Sequence, residues 1–410
     1  MILVAKRPPH DSFTFRLFYN LIRHVKVPYN AIYVWSAALL PFYQNNSCSW
    51  NNSDLYPACA LSYRNLSVES ELVYRSQIVD TITEDIIVFA VKDHLTYKQF
   101  NPWKEDLPDL LSNLTDFFRL YSNKKIILVT SLENLESYIN LPNVSIVSWG
   151  GDITNQQQEY KKLNPVLDKN FTSKLSYISL NRNPRSHRTM LVSLLHGLEI
   201  QDSGLISFLF KDACTSIDSC EWKFSDEQQH IKKTIEHGFQ IITNTNLSIE
   251  DSKDIYGEGN HNTNVENFEN RLRDLYRQTF VEIVSETSFL ESSFLITEKF
   301  LNSVYGCNFP ILICSKGAVN LLRQVGFDMF DDIVDHSYDQ LSNPIDRLYC
   351  AIYNNKDLLT DSEKTKELWK SNKHRFEANV DIAKNRMYEF YTHRAEKQFE
   401  KSLNELNIQN

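Results

Sequence analysis

LSYISLNRNPRSHRTMLVSLLHGL, residues 175–198, decides how the chain is read. Residues 175–180 have the mixed apolar and aromatic make-up of a strand, 181–188 form a polar turn, and 189–198 continue as a helix. Gly204-Leu205-Ile206-Ser207-Phe208-Leu209-Phe210 then opens a second strand. Strand, helix and strand in this order make a βαβ unit, which requires parallel pairing and a crossover helix.

The same grammar extends in both directions. Upstream, residues 86–91, 125–130 and 144–149 are short, nearly continuous apolar runs, as expected of strands covered on both faces. A helix is expected over 107–121 from the spacing of Leu110, Leu111, Leu114, Phe117, Phe118 and Tyr121, and a short one over 132–139. Downstream, 280–285 and 309–314 repeat the strand signal. The polar stretch 155–174 separates the two series, with a boundary near residue 165. The expectation is an α/β chain of two Rossmann-like domains, 1–165 and 166–360, facing each other across a cleft. The segment 361–410 is expected to form a long amphipathic helix with Trp369, Phe376, Val380, Ala383, Met387 and Phe390 on one stripe.

Composition narrows the classes. At 410 residues the chain is long for one domain, and 42% hydrophobic against 23% charged residues is globular. A formal charge of -9 argues against general nucleic-acid binding, which calls for a basic face. The apolar stretch 31–43 is too short to span a bilayer and residues 1–9 are too short for a signal sequence, so no transmembrane segment is expected. Seven cysteines without a C-x-x-C pair fit reduced thiols in a cytoplasmic setting, a host cytoplasm for a viral protein.

Two segments carry chemistry. Asn181, Arg182, Arg185, His187 and Arg188 gather polar and basic groups at a strand-to-helix turn, where backbone N–H groups already favour an anion. Phosphate binding is the sharper reading, and a solvated loop the plainer one. No G-x-G-x-x-G or Walker A pattern occurs. In the second segment, Glu286 ends a strand and Thr297-Glu298-Lys299 begins a helix. A carboxylate there can accept both hydroxyls of a ribose while the lysine reaches a diphosphate; equally, Thr297 can simply cap the helix. Asp328, Asp331, Asp332, Asp335, His336 and Asp339 read as a solvated loop rather than a metal site, and no metal ligands are assigned.

Ser285-Glu286-Thr287, then Ile296-Thr297-Glu298-Lys299, then Pro310 before an apolar strand, resembles the donor-binding region of α1,3-fucosyltransferases, which read F-E-N-S, Y-x-T-E-K and V-P-V. The Asn181–Arg188 turn also looks like their S-N loop followed by an arginine. Gly326-Phe327-Asp328-Met329-Phe330 and Ser337-Tyr338-Asp339 are similar to glycosyltransferase-like proteins of large viruses and phages.

The resemblance, over roughly residues 175–350, implies a GT-B glycosyltransferase taking a GDP- or UDP-linked sugar and a glycan or other hydroxyl acceptor, with no prosthetic group. It implies Glu298 on the ribose, Lys299 and Arg188 on the diphosphate, and Glu286 facing the sugar. With no D-x-D anywhere, arginines and Lys299 would replace a metal at the leaving group. The acceptor base would be Asp152, Asp93 or His94, each just past a strand. A sulfotransferase using the arginine cluster, or a non-catalytic nucleotide- or glycan-binding module, fits the same residues. Oligomeric state is not encoded in these motifs.

Overall fold

The computed structural model describes residues 2–4, 32–36, 86–91, 115, 118–119, 122–130, 133–137, 139–181, 185–208, 223–244, 264–286, 289 and 296–407. The expected strands, with two more at Ile2–Val4 and Ile32–Ser36, form two parallel sheets, of five strands in the order β1-β2-β3-β4-β5 and four in the order β7-β6-β8-β9. The first comprises β1 (Ile2–Val4), β2 (Ile32–Ser36), β3 (Ile86–Val91), β4 (Lys125–Thr130) and β5 (Val144–Ser148). The second comprises β6 (Tyr177–Asn181), β7 (Gly204–Phe208), β8 (Val281–Ser285) and β9 (Phe309–Ile313). β4, β8 and β9 are buried almost throughout, which is why they read as unbroken apolar runs rather than alternating ones.

The chain divides into two compact units, Met1–Gly151 with Tyr391–Asn410, and Asp152–Phe390. The helices used below are α1 (Gly151–Tyr160), α2 (Ser186–Gly197), α3 (Gln229–Asn244), α4 (Glu298–Gly306), α5 (Ala318–Val325), α6 (Pro344–Tyr353), α7 (Ser362–Ser371), α8 (Lys373–Asn385) and α9 (Met387–Asn407). The expected helix over 107–121 lies largely outside the described residues, and that over 132–139 is a single 3-10 turn, Leu135–Ser137. The polar stretch after Asn155 is helical up to Tyr160, because Ile153, Gln157 and Tyr160 recur at helical spacing as its buried face.

The amphipathic segment is three helices rather than one, broken at Asn372 and Arg386. Its stripe does two jobs. Trp369 and Phe376 stack with ring centroids 5.6 Å apart, and Trp369 donates Nε1–H to the Cys307 carbonyl at 2.6 Å. Phe171, Phe280, Phe309 and Phe330 complete that aromatic cluster within the second unit.

Further along, Tyr391, Ala395, Phe399 and Leu403 form a buried stripe in the first unit. There α9 covers the edge strand β5. Gln398 Oε1 accepts from Ser148 N at 3.0 Å, Arg394 reaches the Ser148 carbonyl at 3.4 Å, and Ser145 bonds Ser402 at 2.7 Å. Arg394 also pairs with Glu133, just past β4. A Cβ at Gly150 would lie 2.6 Å from the Tyr391 ring, so a glycine is needed for this close approach.

The second unit has an internal cation. Lys169 is buried and its Nζ donates to the carbonyls of Tyr276 (2.7 Å), Thr279 (2.8 Å) and Gly306 (2.7 Å) and to Asn308 Oδ1. Gly306 ends α4 and Tyr276 lies in the last turn of the helix Arg273–Arg277, so two helix C-termini close on one ammonium. Burial pulls Lys169 down to about 7. The acceptors favour the ammonium, which offers three N–H groups to these four oxygens where a neutral amine offers two.

Two outcomes follow for stability. Lys169→Met leaves buried acceptors unpaired, each worth about 1–3 kcal/mol, so the urea midpoint should fall by the equivalent of about 3 kcal/mol or more. An unchanged midpoint would show that water or relaxation replaces the ammonium. Truncation before Tyr391 uncovers the β5 edge and should give aggregating protein by light scattering; a well-behaved active monomer would refute this covering role.

Candidate functional site

In the second sheet the chain runs outward from β6 to β7 and then crosses back over β6 to β8. The strand order therefore reverses between β6 and β8, where open α/β sheets bind ligands at their carboxyl ends. The pairing is unusual at this point. β6 and β7 are in register over five positions, whereas β6 and β8 pair only at Tyr177 with Val281 and Ile178 with Glu282. The two strands part toward their carboxyl ends, and Asn181 and Ser285 sit at those ends. Asn181 Oδ1 and Ser285 Oγ, both buried, have no hydrogen-bond partner among the described residues.

Both sequence segments meet here. His187 and Arg188 lie in the first turn of α2, which carries no side-chain cap. His187 Nε2 donates to the Glu286 carbonyl at 2.9 Å, and Arg188 donates to the Ser285 carbonyl at 3.2 Å and more weakly to that of Glu286 at 3.5 Å. The backbone beyond β8 is thus bonded to the start of α2, about a hundred residues away in sequence. Burial, with the charges of Arg188 and Arg185, pushes His187 well below its ordinary value, so its Nε2–H is that of a neutral ring. Phe289 stacks on the other side of that ring at 5.5 Å and 25°.

The Glu286 carboxylate turns toward α4. Oε1 accepts from Thr297 N at 3.1 Å and Oε2 from the Thr297 hydroxyl at 2.6 Å. Thr297 is the N-cap of α4, and its Oγ1 accepts from Lys299 N at 3.5 Å and from Lys299 Nζ at 3.0 Å. Lys299 Nζ also pairs with Glu298 at 3.1 Å. Burial pushes the Glu286 carboxyl up, against the opposing pull of Lys299 and of the Thr297 bonds. Burial also opposes ionisation of Glu298, yet the Lys299 ammonium beside it keeps that carboxyl below the usual range. The Lys299 and Glu298 side chains keep 24% and 27% exposure, so this pair is where the site meets solvent.

The expected residues therefore separate. Asn181, His187, Arg188, Glu286, Thr297, Glu298 and Lys299 lie around the crevice. Of these, His187, Arg188, Glu286 and Thr297 also bond β8, α2 and α4 to one another. Arg185 is the residue preceding α2. Arg182, Asp93 and His94 lie outside the described residues. Asp152 is in the first turn of α1, at the start of the second unit.

Among the described residues no three His, Cys, Asp or Glu side chains gather as metal ligands would. The acidic loop 328–339 is only partly solvated. Asp328 and Asp332 both pair with Arg375, His336 is buried between Tyr338 and the Met329 carbonyl, and Asp339 is buried at the start of α5. No helix among the described residues is long and apolar enough to cross a membrane. Phe289 was not legible as a site residue, since an aromatic past a strand carries no signal of what it will stack on. Comparison with protein-family models and with curated protein sequences gives no match.

Proposed function

We propose that the chain is a nucleotide-sugar-dependent glycosyltransferase of GT-B type, with the β6/β8 crevice as its donor site. One observation carries this reading. Two segments that resemble donor-binding motifs, far apart in sequence, are hydrogen-bonded to each other where the strand order reverses.

In the proposed reaction an acceptor hydroxyl attacks the anomeric carbon, the bond to the diphosphate breaks, and charge builds on the departing phosphate. Lys299 and the start of α2 would stabilise that charge together with Arg185 and Arg182. Displacing Lys299 from Glu298 onto a diphosphate would free the Glu298 carboxylate for the ribose hydroxyls. Glu286 would act on Thr297 rather than on the donor, because both its carboxylate oxygens are bonded there, and Arg188, bonded to the Ser285 carbonyl through one guanidinium nitrogen, would stand on the diphosphate side. The glycan or other hydroxyl acceptor would give its proton to Asp93, His94 or Asp152.

A thermal-shift panel of GDP, UDP, CMP and adenosine 3′,5′-bisphosphate tests the class. Stabilisation by GDP or UDP is expected; a response to the bisphosphate alone would indicate a sulfotransferase, and donor binding without turnover or hydrolysis a module. Lys299→Ala should weaken nucleoside diphosphate binding by about 1.5–3 kcal/mol, as for a charge-assisted hydrogen bond. Unchanged affinity by calorimetry, with the fold intact, would overturn the role of Lys299. Turnover of the nucleotide sugar should persist in EDTA, because lysine and arginine, not a D-x-D-bound ion, face the leaving group; loss restored by Mn²⁺ would reverse that assignment.

A further inference from the structure

Arg347 lies on α6 and is 3% exposed. No carboxylate among the described residues pairs with it. Its guanidinium instead donates to three backbone carbonyls: Cys314 at 3.1 Å, just past β9; Leu341 at 2.8 Å; and Phe289. The same group lies over the Phe289 ring, 4.7 Å from its centroid. Phe289 in turn stacks on His187, and His187 holds the Glu286 carbonyl. Arg347, Phe289 and His187 thus form a column from the end of β9 to the parting of β6 and β8. A buried guanidinium is costly, and a fork that satisfies three carbonyls fixes their relative positions in a way an ammonium cannot.

We propose that Arg347 is the positioning residue of the crevice, acting through Phe289 and His187 on the backbone at Glu286. It touches no ligand group in this scheme. Its effect is to hold Glu286 where the carboxylate can meet Thr297, and so to set where Glu298 and Lys299 stand. That consequence for ligand binding rests on the donor-site reading above, whereas the effect on His187 does not.

The test uses full-length protein and two readouts. The His187 ring protons, facing Phe289, should show ring-current-shifted signals in NMR, and the signals of His336 serve as an internal control. Arg347→Lys should shift the His187 signals toward ordinary values, leave those of His336 in place, and weaken GDP or UDP binding at least tenfold. Phe289→Leu removes the link and leaves the backbone carbonyl available to Arg347. It should give a similar loss, and the double variant should lose little more than either single one, since coupled residues are not additive. Additive losses in binding, or an unmoved His187 signal in Arg347→Lys, would overturn the proposal. If Arg347→Lys does not fold, Phe289→Leu with unchanged affinity overturns it as well. If the wild-type protein binds neither nucleotide, the donor-site reading falls, and the His187 signal alone decides whether Arg347 positions the column.

Discussion

The second unit turns on one buried carboxylate. Glu286 directly follows β8, with its carbonyl bonded to His187 and Arg188 and its side chain bonded twice to Thr297. One residue therefore fixes a strand, the start of α2 and the start of α4. A lone carboxylate in such surroundings would be driven to take up a proton. Here the amide and hydroxyl of Thr297 donate to it directly, and Lys299 adds a positive charge through the Thr297 hydroxyl. The arrangement stabilises by geometry more than by net charge attraction, since desolvation offsets much of what a buried ion gains.

The same helix is held at its other end. The last carbonyl of α4, that of Gly306, is among the acceptors closed around Lys169, and Asn308 just beyond supplies another. α4 is thereby fixed by a carboxylate near its N-terminus and an ammonium at its C-terminus, each of the sign that the helix dipole favours. A helix clamped in this way has little freedom to tilt. That matters because Glu298 and Lys299 are its first residues, and a small tilt at Gly306 would be a large displacement of their charged ends.

β4, β8 and β9 were legible because they are buried almost throughout, and such burial leaves a continuous apolar run in the sequence; β1 and β2 were not read as strands. The cap at Thr297 was legible for a local reason, since a threonine followed by a carboxylate at a helix start has a short-range signature. Roles that depend on direction were not legible. Arg188 reads as a phosphate ligand by its place in a basic turn, and the bond from one of its guanidinium nitrogens to the Ser285 carbonyl depends on where β8 lies. Lys169 sits in a polar stretch that looks solvated, and its burial follows from two helix ends far along the chain. The C-terminal stripe was read as one helix because apolar spacing survives a break of a single residue. Asn372 and Arg386 interrupt the helix without disturbing that spacing.

Why this crevice rather than another is a matter of what remains open. The described strands of the first sheet follow one another in order, β1 to β5, with no reversal and hence no gap between diverging connections. In the second sheet, helices start beyond the carboxyl ends of β6, β8 and β9. At α5, beyond β9, the Asp339 carboxylate already accepts from Val319 N at 3.1 Å and Asn320 N at 3.3 Å, filling the place an anion would take. At α4, Thr297 serves as the cap. Among the described residues, α2 begins without a side-chain cap, beside strands whose pairing stops after two positions and buried polar atoms of Asn181 and Ser285 that have no hydrogen-bond partner there. Of these three helix starts, α4 and α5 are closed by the side chains of Thr297 and Asp339, and α2 has no capping side chain among the described residues.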